Sequence, residues 1–159
     1  AKFVGVRPML QDLDDVDWIL HPSRARALSA LASHGLVFDA LIKPVHMSRI
    51  EQIAQRYPDL SIVIDHAAKP TIGNEVSRSW RESLRALASY PNVVCKLSGL
   101  LTELAPGVEP SQVLDCVEVV FQVFGPSRVV WGSDWPVLTL ASTYDHWYAL
   151  TQRALSSLS

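Results

Sequence analysis

The feature that most limits the fold is a repeated change of hydrophobic period along the chain. Five short runs rich in β-branched residues, "FVGVRP" (3–8), "LVFDALI" (36–42), "LSIVID" (60–65), "NVVCKL" (92–97) and "RVVWG" (128–132), alternate with stretches of helical period. After Pro22, apolar residues recur at Ala25, Leu28, Leu31 and Ala32 and stop at Gly35, a natural helix end. Ser48 with Glu51, ahead of a stripe of Ile50, Ile53, Ala54 and Tyr57, and Ser79 with Glu82, ahead of Leu84 and Leu87, have the spacing of capping boxes and predict two further helix starts. Val113, Val117, Val120 and Phe124 form a fourth stripe, closed by Gly125-Pro126, and Trp147, Leu150, Ala154 and Leu158 a fifth. Strand followed by helix, repeated, is the signature of parallel βα units joined by right-handed crossovers. Low-complexity tracts, linkers and charge runs are absent, so residues 1–159 read as one domain. Two closed forms fit this pattern: a doubly wound open sheet and a (β/α)8 barrel. A complete barrel needs roughly 250 residues, so the second form requires that part of it be absent from these 159.

In either form, chemistry collects at the carboxyl ends of the strands, because helices bury the sheet elsewhere. Polar residues fall at that end of one run after another: Arg7 after the first, Asp65, His66 and Lys69 after the third, Lys96 and Ser98 on the fourth, and Asp134 after the fifth. Side-chain alternation puts Lys96 with Ser98, Val130 and Gly132 with Asp134, and Ile62 and Ile64 with His66. Each residue also has a structural reading: a strand-end aspartate caps helices or forms turns, and Arg7 before Pro8 pairs with a neighbouring carboxylate. The repetition of the placement is what favours a functional cluster. Asp134 stands between Trp131 and Trp135, and apolar walls there are expected to raise its basicity, with Pro136 stiffening the turn.

Bulk properties remove several classes. A net charge of −2 gives no footprint for a nucleic-acid partner, and the interrupted apolar runs predict no membrane span. Cys95 and Cys116 sit inside apolar segments, which predicts buried packing thiols and a reducing, cytoplasmic setting. The chain opens at Ala1 without a methionine and shows no secretory leader, so its true beginning is expected to lie upstream.

"VIDHAAKP" (63–70), "VVCKLSGL" (93–100) and "FGPSRVVWGSDWPV" (124–137) together resemble the amidohydrolase-2 branch of the amidohydrolase superfamily, closest to its lactonases. "FVGVRPML" and "FDALIKPVHM" fit the early-strand pattern of the same group. The resemblance implies an α/β fold, a (β/α)8 TIM barrel of which this chain supplies roughly the third strand onward. One strand between Ser98 and Ser127 is expected but not legible. It implies a lactone hydrolase in which Asp134 activates water and His66 binds metal or polarises the carbonyl. Arg7, Lys69, Lys96, His46 and Trp135 are the expected substrate-binding residues, toward an anionic or polyhydroxylated lactone. A divalent metal, zinc in first place, would take His66 and Asp134 as ligands, and a first-strand His-x-His would supply two more. No two of the five histidines are two residues apart, so that pair is absent here. Two other readings stay open: a metal-dependent decarboxylase of the same fold, and a non-catalytic remnant. A barrel lacking its first strands exposes edges, which predicts self-association.

Overall fold

The computed structural model describes residues 2–73 and 75–158, with side chains described through 156. Five strands, β1 (Gly5–Val6), β2 (Val37–Ala40), β3 (Ile62–Ile64), β4 (Val93–Leu97) and β5 (Val129–Trp131), form a single sheet. Every neighbouring pair is parallel, and the spatial order is β1-β2-β3-β4-β5. A doubly wound sheet reverses its strand order at a switch point; this one never does. The sequential order is that of a barrel wall, and the open-sheet alternative falls.

Helices α1 (Ala25–Ser33), α2 (Met47–Arg56), α3 (Arg78–Ala88) and α4 (Val113–Phe124) fill the crossovers, and α5 (Tyr144–Leu158) follows β5. The periodic stripes fall on their buried faces, which hold Met47, Ile50, Ile53 and Ala54 on α2, Trp80, Leu84, Leu87 and Ala88 on α3, and Val113, Cys116, Val117, Val120 and Phe124 on α4, whereas Tyr57 lies just past the end of α2. They pack on Phe38, Ile62, Ile64, Val93, Cys95 and Leu97 of the sheet in one core. Each such Leu or Ile stabilises the fold by about 1.5–3 kcal/mol. On α5, Trp147, Leu150 and Ala154 are buried as expected; the side chain of Leu158 lies outside those described. Both cysteines are free and buried, and burial pushes the Cys95 and Cys116 thiols up, the latter to about 12.

Three expectations are corrected. β4 pairs directly with β5, through Cys95↔Val129, Lys96↔Val130 and Leu97↔Trp131, and among the described residues no strand lies between Leu97 and Val129. That interval holds short 3-10 turns and α4, together with a bridge from Leu104 to Ile72. Neither proposed capping box forms. α2 already begins at Met47, which leaves Ser48 inside it. The cap of α3 is Ser77, whose hydroxyl accepts from the Trp80 N–H at 3.4 Å.

Both sheet edges are open, as a barrel piece requires. Phe3 and Val4 beside β1 are 67% and 71% exposed, and Val130 on β5 is 50% exposed. A mostly apolar cavity of about 520 Å³ lies against β1, lined by Phe3, Val6, Trp18, Leu28, Leu31 and Phe38, with Arg7 at its side. None of His66, Lys96 or Asp134 borders it. Among the described residues no helix is long and apolar enough to cross a membrane.

Candidate active site

Alternation along the strands separates two kinds of residue. On β2, β3 and β4 the fully buried positions, such as Ile62 and Ile64 or Val93, Cys95 and Leu97, alternate with half-buried ones: Asp39, Val63, Val94 and Lys96. The helices take the first set; the second set faces the inside of the barrel wall. Register pairs Ile64 with Cys95, so the next step places Asp65 beside Lys96 on the inner face. The Gly132 N–H continues the β4–β5 ladder to Leu97 O at 3.0 Å and brings Gly132 beside Ser98.

At the carboxyl rim these residues converge. Asp65, 0% exposed, holds the Lys96 ammonium at 3.1 Å through Oδ1, and the Arg7 guanidinium at 3.2 Å through Oδ2. Arg7 Nε also donates to Asp39 Oδ2 at 2.9 Å, the neighbouring-strand carboxylate that its structural reading calls for. His66 Nε2 faces two carboxylates, 3.4 Å from Asp65 Oδ2 and 3.6 Å from Asp134 Oδ1. On the other side of the ring, Nδ1 shares a 2.8 Å hydrogen bond with Ser98 Oγ, itself fully buried.

His66 reaches this position by breaking the alternation assigned to it. From Ile62 and Ile64 a continuing strand would turn residue 66 toward the helices. Instead the chain enters the left-handed region from His66 through Lys69, with φ of 51°, 50°, 61° and 51°. Four consecutive non-glycine residues there cost about 1–2 kcal/mol each. Burial of His66, Ala67 and Ala68, and the Trp80 Nε1–H donated to Ala67 O at 2.8 Å, hold them in place. Asp134 also takes a positive φ, 62°. Backbone strain of this kind collects at functional sites.

Gly99 permits the meeting of the two groups. At φ +64°, its backbone lies so close that a Cβ would stand 2.6 Å from His66 Nδ1 and 3.0 Å from Asp134 Oδ2. Only a residue without a side chain lets the imidazole and the carboxylate close on one another.

Burial lowers the His66 pKa; Asp65 and Asp134 oppose that shift, and Lys96 and Lys69 add to it. The ring is therefore held neutral. The Arg7 pKa is raised: burial alone would lower it, but the Asp39 hydrogen bond and the charges of Asp65, Asp39 and Asp134 outweigh burial.

The remaining expected residues make their contacts outside this knot, although Lys69 is near enough to act on His66 by charge. Lys69 pairs with Glu103 at 2.8 Å. His46 is buried at the start of α2, where its Nδ1 accepts from the Lys43 N–H at 3.2 Å, and its Nε2 has no hydrogen-bond partner among the described residues. Trp135 is 70% exposed, and Trp131 packs edge-on against Tyr144 and Tyr148. The apolar wall expected from the two tryptophans is therefore not built: alternation turns Trp131 away from the face that carries Asp134.

His66 Nε2 and Asp134 Oδ1, 3.6 Å apart, suit two ligands of one ion, since tetrahedral donors at zinc lie roughly 3.4 Å from each other. The second ring nitrogen has the hydrogen bond that orients such a ligand. Among the described residues no third His, Cys, Asp or Glu completes a metal cluster with them. The side chains present fit two positions of a metal site.

Comparisons with known proteins give the chain a family. The chain is 50% identical over 151 residues to an L-fucono-1,5-lactonase of Burkholderia ambifaria, covering 93% of this chain and 52% of that protein. It is 36% identical over 165 residues to the L-fucono-1,5-lactonase of Burkholderia multivorans, covering 96% and 55%. An amidohydrolase crystal structure from Burkholderia multivorans with bound zinc superposes with a TM-score of 0.92 at 34% identity, covering 99% of this chain and 58% of that one. The chain thus spans about half the length of the curated relatives it matches. An amidohydrolase family model matches residues 1–159 throughout, and the chain, a portion of that family's barrel, belongs to the amidohydrolase family.

Proposed function

We propose that the protein hydrolyses a lactone, with Asp134 as the base that activates water and His66 as the group that meets the carbonyl oxygen. The observation that carries the reading is the 3.6 Å approach of His66 Nε2 to Asp134 Oδ1 at the carboxyl rim of the sheet. A water held by Asp134 gives up its proton as its oxygen attacks the lactone carbonyl carbon. The ring C–O bond then breaks, and the departing alkoxide takes a proton back from the carboxyl group, leaving an open hydroxy acid. His66 is held neutral by burial. With Ser98 Oγ–H donating to Nδ1, Nε2 carries the proton and can donate to the developing oxyanion. With the Ser98 oxygen accepting instead, Nε2 offers a lone pair to a metal ion, so a hydroxyl at this point serves either state. When bound there, a divalent ion such as zinc supplies positive charge for the oxyanion and acidifies a bound water.

The charge arrangement narrows the substrate. Arg7, Lys69 and Lys96 are all matched inside the protein, by Asp39, Asp65 and Glu103. With Asp134 added, the three cations face four carboxylates. Such a rim favours a neutral, hydroxyl-rich lactone over one bearing carboxylates. The identity to two L-fucono-1,5-lactonases supports the same choice.

The test is a screen of the full protein against neutral sugar lactones and carboxylate-bearing lactones, with and without a chelator. Neutral lactones are expected to be opened, and Asp134→Asn to remove turnover while the fold survives. Carbon dioxide release from an aromatic acid would install the decarboxylase reading. Full activity in Asp134→Asn would discard the aspartate's role.

A further inference from the structure

Asp65 lies at the centre of the rim, yet it cannot touch a substrate. Its carboxylate is 0% exposed, while the side chains it meets, Arg7 and Lys96, are 42% and 23% exposed. An ion buried without partners is untenable, so Asp65 and its neighbours stand or fall together. Its contacts are unusual in kind. Both oxygens lie within 3.1–3.4 Å of Lys96, Arg7 and His66, but none of the three approaches with hydrogen-bond geometry. The hydrogen bonds of Arg7 go to Asp39 instead, from Nε and one terminal nitrogen. Asp65 therefore acts by charge, not by directed bonds. Among the described residues Lys96 pairs with one carboxylate only, and the hydrogen bonds of Arg7 use Nε and one of its two terminal nitrogens. Both side chains remain partly open to solvent, unlike the carboxylate between them.

We propose that Asp65 is a positioning residue: a buried anion that draws Arg7 from β1 and Lys96 from β4 over the centre of the sheet, so that their unused donors grip the ring hydroxyls of the substrate. This rests on the lactonase reading and deepens it, since it says how the rim recognises a neutral, polyhydroxylated ring. Lysine and arginine so held work as hydrogen-bond donors whose charge is already balanced, which suits hydroxyls.

The experiment is steady-state kinetics on a neutral sugar lactone with the full, zinc-supplied protein, its Asp65→Asn, Lys96→Met and double variants, and a melting curve for each. Losing one charge-assisted contact corresponds to roughly tenfold or more. Asp65→Asn is therefore expected to raise KM about tenfold with kcat kept within about threefold, the reverse of a lost general base. If Asp65 works through Lys96, the double variant has the KM of the worse single one within about twofold. Should Asp65→Asn fail to fold, Asp65→Glu keeps the charge and displaces it by one methylene, and KM alone is expected to rise. An unchanged KM, a loss confined to kcat, or multiplying effects of Asp65→Asn and Lys96→Met would overturn the assignment while leaving the lactonase standing. A wild-type protein inert on every lactone overturns the lactonase reading, and this assignment with it.

Discussion

The two ends of the sheet use polar residues in opposite ways. At the amino end, Asn92 donates from one nitrogen to the carbonyls of Ala54, Tyr57 and Leu60, at 3.4, 3.1 and 3.0 Å. Arg128 donates likewise to Tyr90 and Val93 carbonyls at 3.0 and 3.2 Å. These side chains are spent on the backbone, closing the turns that lead into β3, β4 and β5. At the carboxyl end, Arg7, Asp39, Asp65, His66, Lys96, Ser98 and Asp134 meet side chains. A side chain committed to main-chain carbonyls fixes the fold, whereas one held by other side chains keeps donors and lone pairs for a ligand. Barrel enzymes divide stability and catalysis between the two ends in the same way.

That contrast can be broken or sharpened by substitution. The largest effect is expected at Asp134: Asp134→Asn should cut kcat about 10³-fold while its melting temperature stays near that of the wild type, as kinetics and calorimetry would check. A large thermal loss would place this aspartate with the amino-end residues. Gly99→Ala follows, because its Cβ would collide with the imidazole. About 2 kcal/mol of stability and about 100-fold of kcat/KM should be lost together, measured by denaturant titration alongside kinetics. Asn92→Ala should show the opposite profile, about 2 kcal/mol of stability with kcat untouched; a kcat that fell as well would blur the division between the ends. Ser98→Ala removes the hydroxyl that orients His66 and should cost about 1 kcal/mol, and a kcat equal to wild type would free the ring orientation from Ser98.

The smallest effect concerns pH. His66 titrates lower in the folded chain than its ordinary range because it is buried. Between the two values the unfolded chain binds more protons, so stability rises with pH across that window. The contribution is complete above the ordinary imidazole value of about 6.5 and is lost as pH falls toward the lowered folded value. A melting temperature in wild type that is flat from neutral to mildly acidic pH, once compared with His66→Gln, would remove this linkage.

Much of the architecture was legible in the chain. The five β-rich runs are the five strands, and the apolar stripes on α2, α3 and α4 are the buried faces. Strand-end polarity pointed to Arg7, His66, Lys96 and Asp134, which do lie together. Asp39 escaped because nothing in "LVFDALI" marks it; its partner Arg7 is 32 residues away and one strand across. The helix caps were misplaced because Ser48 and Ser79 match a local spacing, while the crossover geometry starts each helix earlier. The expected tryptophan wall failed because alternation puts Trp131 on the face opposite Asp134, where Tyr144 and Tyr148 of α5 meet it.

Hydrophobic period is a local property, so the sequence by itself determined that βα units repeat, that the strands run parallel, and that polar groups crowd one end of them. Only the tertiary structure decided that the strands follow one another without a switch point, that a left-handed turn swings His66 inward, and that Gly99 leaves room for it to meet Asp134. Those outcomes depend on contacts between residues 30 to 70 positions apart, whose energies come from register, burial and close packing and are invisible in any short window of the chain.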